Sequence, residues 1–205
     1  MTTFLKKAVS YPLWRLKILK NDIRQLIQLA QAGDSEAFHQ LVAIHDEKIM
    51  TLAYQLTQNK YDAEDLYQEV FIKAYKSISK FRFQSAFYTW LYRITVNTFY
   101  NLKRTQNKMP IQEALEDGSD PLMNITEKPE STSDRDEIMK AVKAAANQLP
   151  DKQRTAFLLK HMQNLKIREI SGIMGIGEGT VKKYLFRAME KLRNELKEYR
   201  YAWYF

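Results

Sequence analysis

Cysteine is absent from this 205-residue chain. That excludes a disulfide framework and any thiolate metal site, and it points away from an oxidising compartment. No apolar run approaches the roughly 18 residues of a membrane span. Pro12, Trp14 and Arg15 interrupt the basic N-terminal stretch, no small-residue cleavage site follows it, and the expected compartment is the cytoplasm. Histidines at metal-helix spacing are missing too: His39 and His45 stand on different faces of one helix and His161 is alone, so no zinc pair is expected. Gly175–Gly179 contains no lysine and cannot serve as a phosphate loop, and no serine sits in a recognisable nucleophile elbow. No catalytic residue, metal or cofactor is expected.

Acidic side chains are missing from one long stretch, residues 70–112, although the chain carries 24 Asp and Glu in all. The stretch holds eight basic residues (Lys73, Lys76, Lys80, Arg82, Arg93, Lys103, Arg104, Lys108) and ten aromatics, from Phe71 to Tyr100. Flat π-faces among fixed positive charges suit single-stranded nucleic acid, whose bases are exposed for stacking. A helical core with a solvated basic rim accounts for the same composition, and composition leaves both readings open. The net charge of +8 favours anionic partners and speaks to association, not fold. Residues 1–106 carry +6, residues 107–136 carry −5 and residues 137–205 carry +7. Two basic blocks flank an acidic bridge.

That bridge contains Pro110, Gly118, Pro121, Pro129 and a Ser131-Thr132-Ser133 run, a linker composition. Fully extended at roughly 3.3 Å per residue, it reaches about 90 Å, enough to hold two modules far apart on DNA. Both flanks read as all-α, with no alternating strand pattern. The expected organisation is an N-terminal extension (1–20), a helical module (21–106), a flexible acidic linker (107–134), a second helical module (135–198) and an aromatic tail (199–205). In the first module, Asp22 caps a helix that stops near Gly33, and Asp34 or Ser35 begins a second. Asp62-Ala-Glu-Asp65 opens a third, and a fourth runs from about Ala86 to Arg104. In the second module, a helix from Ser133 or Asp134 ends at Leu149-Pro150, and another follows from Asp151 to about Met162. A short helix, Ile167–Met174, a glycine-rich turn and a long helix, Thr180–Glu198, then form a helix-turn-helix. Lys182, Lys183 and Arg187 fall opposite Val181, Leu185 and Leu192, which puts them on the face that enters a major groove.

Asp65, Gln68 and Glu69 share one face of the third helix, near its start. Three readings stand: ordinary acidic side chains at the positive end of a helix dipole, a docking face for a basic protein surface, or a carboxylate metal site that lacks further ligands at the required spacing.

Two sets of residues carry a resemblance. Residues 62–75 (DAEDLYQEVFIKAY), Phe81-Arg82 and residues 85–97 (SAFYTWLYRITVN) resemble the second conserved region of extracytoplasmic-function (ECF) sigma factors of the sigma-70 family, nearest the sigma-E type. Ala32-Gly-Asp34 and Ala37-Phe38 match that region's opening. Leu149-Pro150, Ile170, Gly175, Gly179-Thr-Val-Lys182, Arg187-Ala188 and Lys191-Leu-Arg193 resemble the fourth region. Together they cover roughly residues 26–104 and 135–197, in the family's order.

The resemblance implies a promoter-specificity subunit of RNA polymerase, not an enzyme. Asp65, Gln68 and Glu69 would dock on the clamp coiled coil of the largest β-type subunit, and the partners would be core polymerase (β and β-prime), promoter DNA and an anti-sigma factor. Phe81, with Ser77, Ile94 and Asn97, would line a pocket for a base flipped from the −10 non-template strand. Arg82, Phe83, Gln84 and Ser85 would frame that pocket, and Lys73 would also serve the strand. Thr180, Lys182, Lys183, Phe186 and Arg187 would face the −35 duplex, and the acidic linker would follow the polymerase's RNA path. Phe83 departs from the small residue usual at its position, and Ser171-Gly172 from the usual alanine-containing pair. A duplex-binding repressor would use the last helix alone, and a nuclease would need a metal or nucleophile constellation. For the aromatic tail, packing on its own domain and contact with a partner both remain open.

Overall fold

The computed structural model describes residues 20–106 and 134–197. The expectations for the N-terminal extension, the linker and the aromatic tail lie outside the described residues. Eight α-helices and no strand occur among those described, in keeping with the all-α reading.

Local chemistry explains where the helices of the first module break. Helix α1 spans Lys20–Gln31 and stops at Gly33, whose φ of +100° is open to glycine and strained for other residues. The Asp34 carboxylate accepts from the Ala37 amide at 3.0 Å and starts α2, Ser35–Thr57. Gln58 ends α2 in a left-handed conformation, its amide donating to the Tyr54 carbonyl at 2.8 Å. The side chain of Asn59 then accepts from the amides of Tyr61 and Asp62, so α3 runs Lys60–Ser77 and begins two residues before the expected Asp62. Each such cap is worth about 1 kcal/mol. A 3₁₀ turn, Ile78–Lys80, and a short loop lead to α4, Phe87–Gln106.

The second module has shorter elements: α5 (Asp134–Asn147), α6 (Asp151–Phe157), a π-helical turn at Leu158–Met162, α7 (Ile167–Met174) and α8 (Glu178–Glu195). Gly175, at φ +65°, is the residue that reverses the chain after α7. The expected glycine turn through Gly179 is shorter than its composition implied. Gly177 is extended and already sits at the N-cap, so α8 begins at Glu178 and takes in Gly179.

Leu41, Ile49, Leu52 and Leu56 of α2, Leu66 and Val70 of α3, and Leu91, Val96 and Phe99 of α4 are fully buried. Each contributes about 1.5–3 kcal/mol relative to exposure. Leu159, Ile170, Ile173, Val181 and Leu192 do the same in the second module.

Although a tether of the linker's length permits wide separation, the two modules touch. Helix α7 packs on α4 and α6 approaches α2. Arg154 of α6 is 5% exposed and donates to the Leu56 carbonyl at the end of α2, at 2.6 Å, and to the Asp151 carboxylate at 3.0 Å. Three tyrosines of α4 donate their hydroxyls across the same contact: Tyr88 to Glu169, Tyr92 to Gln163 and Tyr100 to Thr155, at 3.1, 2.7 and 3.0 Å. Lys103 lies 3.8 Å from Asp151.

Candidate nucleic-acid interface

The acid-free stretch divides into three structural uses. Phe87 and Phe99 are core. Tyr88, Tyr92 and Tyr100 join the modules. Phe81 and Phe83 lie in the loop between α3 and α4, where Phe81 packs on Phe83 and on Trp90 of α4. The Phe81 ring lies 5.0 Å from Phe83, 5.5 Å from Phe87 and 5.3 Å from Trp90, centroid to centroid. It is 6% exposed, so in this conformation it anchors the loop and offers no free stacking face. Arg82, Gln84 and Ser85 are exposed, and Phe83 is half-buried. Phe83 has φ +56°, a left-handed backbone that costs a non-glycine residue about 1–2 kcal/mol.

Behind the loop, α3 and α4 place the other strand-facing candidates on adjoining faces. Lys73 bridges the two helices, 3.1 Å from the Glu69 carboxylate and 3.3 Å from the Thr98 hydroxyl. Ser77 donates to the Lys73 carbonyl at 2.6 Å and is half-buried. Ile94 is half-buried, and Asn97, next to Thr98, is exposed. Lys73 therefore links the candidate docking face to the candidate strand face. Asp65 and Gln68 are exposed and Glu69 is half-buried, so the α3 face is open to a partner. Exposed Ile72 and Tyr75 continue it toward the helix end.

On α8 the division of faces is clean. Val181, Ala188 and Leu192 are buried, while Lys182, Lys183, Phe186 and Arg187 are exposed, Phe186 to 69%. None of the ion pairs among the described residues involves Lys182, Lys183 or Arg187, which leaves three cations for phosphates or base edges. Thr180 is half-buried, its amide donating to Gly177 at the helix start. The preceding turn is fixed by the Ser171 hydroxyl, which donates to the Ile176 carbonyl. That bond gives Ser171 a role in holding the helix-turn-helix geometry.

Two sets of residues escaped sequence reasoning. The inter-module tyrosines gave no signal, because an aromatic on a helix is equally at home in a core. Arg154 did: a cation followed by Thr155-Ala156-Phe157-Leu158-Leu159 marks a charge drawn into an apolar setting, where it needs an acceptor.

His45 is a core histidine. Its Nδ1 lies 2.9 Å from the Leu41 carbonyl and its ring meets Phe87 edge-on. Burial, foremost, holds its pKa below the ordinary imidazole value, with Lys48 adding to the effect and the Leu41 bond opposing it.

Comparison with known proteins finds two family matches along the chain. Residues 41–109 match the family model described as Sigma-70 region 2, and residues 139–192 match Sigma-70, region 4. The RNA polymerase sigma-H factor of Pseudomonas aeruginosa is 37% identical over 179 residues, covering 84% of this chain and 93% of its own. The ECF RNA polymerase sigma-E factor of Escherichia coli strain K12 is 35% identical over 177 residues, covering 83% and 92%. Among solved structures, the sigma factor RpoE of Bartonella quintana, in complex with the anti-sigma factor NepR, superposes with a TM-score of 0.62 at 26% identity. The match covers 78% of this chain and 96% of that one.

Proposed function

Since the chain belongs to the sigma-70 family of RNA polymerase sigma factors, in its ECF group, we propose that it recruits core polymerase through α3, reads the −35 duplex with α8 and captures the melted −10 non-template strand with the α3–α4 loop and the faces behind it. It directs promoter-specific initiation as a specificity subunit, in the cytoplasm, and an anti-sigma factor restrains it. The observation that carries the residue assignments is the segregation of exposed chemistry. Acidic and amide groups stand on α3, unpaired cations on α8, and a polar-rimmed aromatic loop between α3 and α4.

Each surface suits its task physically. Asp65, Gln68 and Glu69 offer charge and hydrogen bonds to a basic protein face. Lys182, Lys183 and Arg187 neutralise phosphates and release counterions, which makes −35 binding fall with salt. Asn97 and the Arg82–Ser85 rim offer amide, hydroxyl and guanidinium groups to an extruded base. Unstacking that base costs a few kcal/mol, and aromatic stacking and edge contacts must repay it. Phe81 reaches a base only if the loop rearranges. In the present conformation Phe81 supports the rim, and Arg82, Gln84 and Ser85 make first contact.

Asn97→Ala tests the assignment. Open-complex formation, followed by permanganate reactivity of unpaired thymines, falls about tenfold, the loss of roughly one charge-assisted or two neutral hydrogen bonds, while −35 duplex binding is unchanged. Equal loss of both activities contradicts the division of labour.

A further inference from the structure

The loop that carries Arg82, Gln84 and Ser85 is fastened from behind by α1. The side-chain amide of Gln31 donates to the Ile78 carbonyl at 3.0 Å and to the Phe81 carbonyl at 2.7 Å. One amide nitrogen has two hydrogens, so both bonds form together and grip the turn at both ends. Further along, the Arg24 guanidinium lies 4.9 Å from the Phe83 ring centroid, a cation–π distance. The residue that Arg24 covers is Phe83, the one with φ +56°. A phenylalanine stays in left-handed backbone only where its surroundings over-determine it. Here the surroundings are the Gln31 clamp, the Arg24 cation and the Phe81 ring 5.0 Å away.

We propose that Gln31 and Arg24 are positioning residues for −10 readout, presetting the Arg82–Ser85 loop through Phe83 in the shape that frames the flipped base. The proposal rests on the −10 reading given above. A preset loop loses little freedom on capturing the strand, whereas a loosened one must be ordered at the moment of binding. Loosening also admits loop shapes that accommodate other bases, so discrimination falls along with affinity. Neither residue needs to touch DNA for this.

The test uses the full chain assembled with core polymerase and a pool of single-stranded oligodeoxynucleotides carrying a randomised stretch; the retained molecules are sequenced. The wild type enriches one base at one position. Gln31→Glu, which is isosteric but points an acceptor at two carbonyls, lowers that base ratio about tenfold, the equivalent of the lost hydrogen bonds. The −35 duplex binding stays as in the wild type. Arg24→Ala, at an exposed position, lowers the ratio about threefold, a typical cation–π magnitude, and Arg24→Lys restores it. In a Phe83→Leu background, Arg24→Ala has no further effect if it acts through the ring. A further drop there shows direct DNA contact and overturns the positioning role. If the wild type selects a base and both Gln31→Glu and Arg24→Ala select it equally well, the clamp is refuted and the −10 reading stands. If the wild type selects no base, both fall.

Discussion

The N-terminal module closes on itself, while the C-terminal module completes its packing on a neighbour. In the first, Leu52, Leu56, Leu66 and Val96 are wholly buried between long helices with side-chain caps at Asp34 and Asn59. In the second, α6 and α7 are short, α6 has no side-chain cap at Pro150, and the module leans on its neighbour through hydroxyl bonds from α4 and a guanidinium bond to the end of α2. The contrast teaches that one helix, α4, serves three surfaces. It supplies the core of its own module, part of the proposed strand-facing side and the seat of the helix-turn-helix.

The comparison can be broken by substitution. Leu66→Ala removes a fully buried side chain from the self-contained module and costs about 3 kcal/mol, measured by urea denaturation. A loss under about 1 kcal/mol would mean that this core is not the organising one. Arg154→Met keeps the packing volume and leaves the Leu56 carbonyl without its charged donor; about 2 kcal/mol is expected, read as weakened protection of the amides of α6 and of the end of α2 in hydrogen exchange. Protection lost evenly over both modules would contradict a local contact. Tyr92→Phe deletes one hydroxyl bond to Gln163 and costs about 1 kcal/mol, visible in the same exchange profile.

pH separates the N-terminal core from the contact between the modules more gently. Burial, foremost, holds the folded pKa of His45 below the ordinary imidazole value of about 6.5, so the fold disfavours the imidazolium. Its contribution is complete above about pH 6.5 and declines as pH falls below that, because the unfolded chain then binds the extra proton. Tyr92 and Tyr100 are pushed up to about 12, mainly by burial. The neutral phenol is favoured in the fold, so the stability they add is complete below pH 10 and fades as pH rises toward 12. Tyr67 of the N-terminal module is raised to about 12 as well, so Tyr92→Phe serves as the control: it should flatten the alkaline slope in part and leave the acid slope unchanged. An unchanged alkaline slope would remove Tyr92 from the account.

Much of this architecture was legible beforehand. The spacing of apolar residues gave the helices; Gly33 and Asp34 marked the first break and Gly175 the turn, because left-handed backbone and side-chain capping are local demands. Ile167–Met174 has the expected bounds. The cations of α8 were legible because Val181 and Leu192 fix which face is buried. What escaped was partly a competition between neighbouring caps and partly tertiary. Asn59 outcompeted Asp62 as the start of α3, Gly179 entered α8, and Gln31 and Arg24 act on a loop some 50 residues away. The burial of Phe81 follows from three rings meeting at once, which periodicity does not report.

Promoter-directed initiation is the property on which the residue roles depend. Core polymerase with the full chain, transcribing a pool of genomic fragments with the 5′ ends sequenced, tests it most directly. The prediction is a limited set of discrete starts that appear only when the chain is added and share a −35 and a −10 element at fixed spacing. The same transcripts with and without the chain, or starts scattered without a common element, would contradict it.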